Sequence, residues 1–144
     1  MSAIHEWFGY TQAIYTYIQR KYGPEELDRY FQYLAEEAYC DVTIQYRGGG
    51  LEAVRDRYVK NFRKDGDENS AVAEIQDNVL IMDVHCPAYT HTAPARHPDR
   101  RVSPFLCQCC ENLNGRILHQ AGYQLELVKT ACDRCRWTVK KEEP

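Results

Sequence analysis

The sequence predicts an α+β fold: a small antiparallel sheet of about four strands, packed with an N-terminal helical half and one cysteine-bearing helix. Three observations predict it. Apolar residues recur at helical spacing through the first 64 positions. After Asp65-Gly66-Asp67 the pattern changes to short alternating segments around an Asp77-Asn78 turn signal. A single helical stretch then separates these segments from two more. With 144 residues, no internal repeat and no second domain in view, one domain over residues 1–144 is expected, with a helical half at 1–66 and a cysteine-rich half at 67–144.

The first helix is expected over residues 3–22. Ile4, Trp7, Phe8, Ile14, Tyr15, Ile18 and Tyr22 would form one buried stripe, with Trp7 in the core. Gly23-Pro24 ends it. Pro24 suits the first position of a second helix, and Glu25 and Glu26 suit its positive end. Leu27, Tyr30, Phe31, Leu34 and Ala38 give that helix its buried face. Asp41–Tyr46 reads as a short strand or an extended link, and Gly48-Gly49-Gly50 as a flexible interruption. The triple glycine lacks the Gly-Lys-Ser/Thr ending of a phosphate loop. A third helix, roughly 51–64, turns Leu51, Val54, Tyr58 and Phe62 inward.

Residues 71–76 and 79–85 read as a hairpin. Residues 87–104 form a loop with four of the six prolines. Ser103-Pro104 looks like a cap followed by proline at the first helical position. The helix it opens would run over 104–120, bury Leu106, Leu113 and Ile117, and stop at Gly122. Strands are expected at 123–129 and 136–140. Most of the eleven tyrosines fall on the helical stripes, where ring packing with the hydroxyl at the rim accounts for them.

Hydrophobic residues make up 44% and charged residues 27%, which suits a soluble globular chain. A formal net charge of −3 argues against a nucleic-acid partner, because phosphate contacts need a basic face. No apolar run approaches the roughly 20 residues that span a bilayer. The first residues lack the basic-then-apolar order of a secretion signal, so a cytoplasmic location is expected.

Seven cysteines in such a chain require a reason, and six fall between residues 86 and 135. An odd number in a reducing compartment argues against a disulfide framework. Cys107 and Cys110 have C-x-x-C spacing, as do Cys132 and Cys135. Twenty-one residues separate the pairs. Two such pairs can chelate one metal ion, and soft thiolates suit zinc or an iron–sulfur cluster. Cys86, before Pro87, and Cys109 enlarge the ligand set to Cys86, Cys107, Cys109, Cys110, Cys132 and Cys135. The bland alternative is that several cysteines, and Cys40 above all, are small apolar packing residues. A third reading is nucleophilic. Cys107 lies in the first turn of its helix, where unpaired N–H groups favour an anion, and Cys86 is the other candidate. His85, His91, His97 and His119 are candidate proton partners, or structural hydrogen-bonding groups. Arg96, Arg100 and Arg101 form the one basic cluster and could clamp a carboxylate, or simply be solvated.

Four motifs carry a family resemblance: Val84-His85-Cys86-Pro87, Cys107-Gln108-Cys109-Cys110-Glu111, Gly122-Tyr123-Gln124-Leu125-Glu126-Leu127, and Cys132-Asp133-Arg134-Cys135-Arg136-Trp137. The stretch 83–139, about 40% of the chain, resembles the L-2-amino-thiazoline-4-carboxylic acid hydrolase family. More distantly it resembles the 4-vinyl reductase small-molecule-binding domain. The resemblance implies an α+β fold, a ligand pocket beside the cysteines, and hydrolytic opening of a cyclic sulfur- and nitrogen-containing carboxylate. The extra cysteines favour a metal or cluster over a lone nucleophile. Three functions follow as expectations. They are a cysteine-cluster metalloprotein with a small-molecule pocket, a metal-free cysteine hydrolase opening a thiazoline-like ring, and a non-catalytic ligand sensor or carrier. The expected partner is a small-molecule substrate or ligand, without nucleic acid or membrane, and a homodimer is the candidate assembly.

Overall fold

A computed structural model describes residues 3–86, 104–131 and 133–143. Four helices and a four-stranded antiparallel sheet follow one another as the periodicities require. Helix α1 spans Ala3–Tyr22, α2 Pro24–Tyr33, α3 Cys40–Asp65 and α4 Pro104–Gln120. Strands β1 (Ala71–Gln76), β2 (Val79–His85), β3 (Tyr123–Ala131) and β4 (Arg134–Lys141) form a sheet in the order β1-β2-β4-β3. Two hairpins, joined through α4, therefore place β2 and β4 at the centre.

Local chemistry sets the boundaries. Gly23 has φ 93° and turns the chain from α1 into α2, where Pro24 starts the helix. Asp77 and Asn78 have φ of 52° and 62°, the paired left-handed conformation of a two-residue hairpin turn. Asn and Asp tolerate that region because their short side chains bond locally.

Three expectations about the helical half are corrected. Asp41–Tyr46 is neither strand nor link but the first part of α3. The chain reaches it through a π-helical turn, Leu34–Ala38, closed by Tyr39 N–H donating to Leu34 O at 3.1 Å. The wider turn leaves Ala35 buried and Ala38 exposed. It also rephases the helix so that Val42, Thr43 and Tyr46 face inward. The three glycines do not form a loop. Helix continues through Gly49, and only Gly50, at φ 71° and ψ −160°, breaks it. Finally, the α1 stripe is not buried as a whole. Tyr15 is buried and Ile18 packs against the core, but Trp7, Ile14 and Tyr22 are exposed. Trp7 is 55% exposed, so it is not a core residue. Cys40 is likewise exposed rather than packed.

The inner face of the sheet is built in cross-strand rows. Ile75, Leu80, Val139 and Leu125 form one row, and Ala73, Met82, Trp137 and Leu127 the next. Leu80, Met82, Trp137 and Val139 are almost completely buried. Helices α3 and α4 cover this face. Tyr46, Val54 and Tyr58 of α3 and Leu113, Ile117 and Leu118 of α4 join the sheet residues in one core. Tyr58 packs on Trp137 at 4.9 Å between ring centroids, and Phe62 packs on it edge-on at 5.5 Å. The opposite face of the sheet is solvated. There Arg136 bonds Asp83 at 2.9 Å while Val72 and Val128 stand exposed. Among the described residues no helix is long and apolar enough to cross a membrane.

Candidate functional site

The third inner-face row differs in kind. It runs Ala71, Val84, Cys135, Lys129. Strand alternation places Cys135 on the same face as Trp137 and Val139, and Lys129 on the same face as Leu125 and Leu127. Just beyond β2, Cys86 N–H donates to Asp133 O at 2.8 Å, which ties Cys86 to the β3–β4 hairpin. Helix α4 lies over this end of the sheet. Its positions 106, 109, 113 and 117 form one buried face. Positions 107, 110 and 114, three and four apart, form the adjacent one.

The result is that four thiols, from the end of β2, α4 and β4, line one cavity. Cys110 lies near enough to Cys86, Cys135 and Cys107 for negative charge on any of them to oppose its ionisation. Cys109, on the buried face of α4, also lines the cavity, and both it and Cys110 lie near the Tyr15 hydroxyl. Cys107, Cys135 and Cys110 each have a polar neighbour at the sulfur. Lys129 Nζ approaches Cys107 Sγ at 3.7 Å. Trp137 Nε1–H donates to Cys135 Sγ at 3.2 Å. Asn114 Nδ2 donates to Cys110 O at 2.8 Å and to Cys110 Sγ at 3.6 Å. Tyr58 in turn donates its hydroxyl to Asn114 Oδ1 at 2.8 Å, so a hydroxyl–amide–thiol chain crosses from α3 to α4.

Burial dominates the ionisation of these groups. It pushes the Cys110 thiol well above its ordinary value, and the three neighbouring sulfurs push the same way. Cys135 is pushed up to about 11, by burial first, against the opposing Trp137 hydrogen bond. Cys109 is also pushed up to about 11, by burial. All three are therefore neutral thiols at pH 7, unless a cation such as a metal ion replaces the proton. Tyr58 is likewise held as a phenol by burial.

These thiols line one end of a cavity of about 810 Å³. Its other walls are largely aromatic and aliphatic, including Tyr15, Tyr46, Tyr58, Phe62, Leu127 and Trp137. Such a volume falls in the range of small-molecule sites, roughly 300–1,000 Å³. Polar groups on α3, among them Arg57 and Asn61, also reach the wall.

The sequence-derived site residues divide into three groups. Cys86, Cys107, Cys110 and Cys135 are brought together. His85 is bound by Asp133, Nε2 to Oδ2 at 2.9 Å, and His119 pairs with Glu142. Arg96, Arg100, Arg101, His91, His97, the Ser103 cap and Cys132 lie outside the described residues. Among the described residues, no three of His, Cys, Asp and Glu are placed to share a metal ion as they stand. No protein-family model matches this chain, and no curated protein matches it. The site therefore rests on its own geometry.

Residues missed from sequence are Lys129, Asn114, Tyr58 and Trp137. Two had readable signals. Lys129 continues the Tyr123, Leu125, Leu127 alternation by one step, and Asn114 sits one helical turn beyond Cys110. Tyr58 and Trp137 were legible only as core residues, since a packing aromatic and a hydrogen-bond donor to a cysteine site look alike in sequence.

Proposed function

We propose that this protein is a small-molecule-binding domain whose pocket is closed at one end by a cluster of thiols. The observation that supports this reading is the coincidence of a cavity of about 810 Å³ with Cys86, Cys107, Cys110 and Cys135 on its wall. The cavity's largely apolar wall gives a ligand apolar surface to cover. A pocket beside the cysteines is also what the resemblance to the thiazoline-carboxylate hydrolases and the 4-vinyl reductase domain implies. Native mass spectrometry of the purified protein and quenching of Trp137 and Trp7 fluorescence by added ligands test it. Retention or saturable uptake of a small molecule is expected. A protein that carries none, and whose fluorescence responds to no member of a diverse aromatic and aliphatic panel, overturns the reading.

A second reading is favoured by the convergence of sulfurs from three separate elements: the cluster holds zinc or an iron–sulfur cluster. Cys86, Cys107, Cys110 and Cys135 are the residues to hold it, with Cys132 beside Cys135 in sequence as a further donor. Thiolates would replace the neutral thiols on binding, releasing protons, and the sulfurs would draw together. Bound there, the metal supplies either structural cross-linking or Lewis acidity at the pocket's end. Metal content and the visible spectrum of protein purified without air decide this. A colourless, metal-free and stably folded sample ends the metal reading and leaves the pocket reading standing.

Hydrolysis of a thiazoline-like ring is the catalytic form of the pocket reading. Cys86 and Cys107, both on the cavity wall, are the nucleophile candidates. A ring-opening assay in which Cys86→Ala and Cys107→Ala both keep full activity removes a thiol nucleophile.

A further inference from the structure

The pocket reading leaves the ligand's chemistry open, and α3 narrows it. Arg57 is a half-buried guanidinium on the cavity wall. Among the described residues no hydrogen bond or ion pair to a carboxylate accompanies it; Arg29, Arg55, Arg116 and Arg136, by contrast, each meet an acidic side chain. Arg57 instead stands close enough to the Tyr46 and Tyr58 hydroxyls for its charge to act on both. Those two rings are buried and form part of the aromatic wall. A cation partly removed from water without a counter-charge loses solvation, and an anion beside it restores the balance.

Arg57 also differs from the other cations on the wall: Lys64, Lys129 and Arg134 are exposed, whereas Arg57 is half-buried. A phosphate dianion needs several donors or a helix N-terminus, whereas one planar guanidinium suits one carboxylate.

Resting on the pocket reading, we propose that Arg57 receives the carboxylate of an amphipathic ligand. The ligand's apolar body then lies along Tyr46, Tyr58, Phe62 and Trp137 toward the thiols. Arg57 selects the anion, and the aromatic wall selects the body.

Matched pairs of probes test this: 3-phenylpropionate with 3-phenyl-1-propanol, and 4-phenylbutyrate with 4-phenyl-1-butanol. Binding is followed by tryptophan fluorescence in the full chain and in its Arg57→Gln and Arg57→Lys variants, with far-ultraviolet circular dichroism to show that each variant is folded. The expected result is that each acid binds at least about tenfold more tightly than its alcohol. Arg57→Gln should abolish that preference while leaving alcohol affinity unchanged, and Arg57→Lys should restore part of it. An alcohol that binds as well as its acid, or an acid preference that survives Arg57→Gln, overturns the assignment while leaving the pocket reading intact. If neither member of either pair binds, the assignment fails, and the wider panel described above then shows whether the pocket reading fails with it.

Discussion

The two ends of the sheet's inner face are built on the same strands yet behave as different materials. Near the β1–β2 turn, Ile75, Leu80, Val139 and Leu125 form a hydrocarbon row packed against the helices. Two rows along, the corresponding places hold Ala71, Val84, Cys135 and Lys129, and the last two line the cavity. One end is filled to stabilise the fold. The other is left unfilled and lined with polarisable sulfur and a cation. Among the described residues, the difference between the two ends lies in which side chains the same strands carry.

Substitutions at the two ends should separate these roles. The largest effect is expected for Leu80→Ala, in the filled row. Leu80 is fully buried, and its truncation should cost about 2–5 kcal/mol in urea or guanidinium unfolding, with ligand or metal binding per folded molecule unchanged. At the open end, Cys135→Ala should cost only about 1 kcal/mol, because the cavity wall is already incompletely packed. Its signature should be lost binding, read as altered metal content or weakened ligand quenching. Equal stability losses at the two positions would erase the distinction between the ends.

Alkaline stability sharpens the comparison on α4. Cys109, on the buried face, has its thiol raised from an ordinary 9.0 to about 11 by burial. The folded value lies above the unfolded one, so this contribution is complete below pH 9 and is lost as pH rises toward 11. Unfolding free energy of the native chain should therefore fall between pH 9 and 11 by about 2 kcal/mol more than that of Cys109→Ala. Parallel curves would show that Cys109 is not desolvated. The smallest effect belongs to the outer face. Asp83→Asn breaks the exposed pair with Arg136, and its unfolding midpoint should match that of the native chain within error.

Strand positions, the hairpin turn and the cysteine helix were legible in sequence because each depends on local periodicity or turn chemistry. The break among the three glycines was legible, but it is confined to Gly50, since consecutive glycines lower helix propensity without forbidding helix when flanking turns pack on a core. Tyr46 and Val54, buried on either side of Gly50, supply that packing. The π-turn at Leu34–Ala38 had no sequence signature, and it moved Ala38 out of the core. Trp7 matched the α1 stripe but is exposed, because a helix at the edge of a fold buries only the strip its neighbours reach.

Within the site, the C-x-x-C spacing of Cys107 and Cys110 marked two residues that share a helix face, and Cys135 of the second pair lines the same cavity. The sequence by itself determined the alternation that puts Cys135 and Lys129 on one face, and the helical repeat that aligns Cys107, Cys110 and Asn114. Both follow from backbone geometry over a few residues. Only the tertiary structure decided that these two faces confront each other across a cavity with Arg57 on its wall, because that depends on how whole elements pack at long sequence separation.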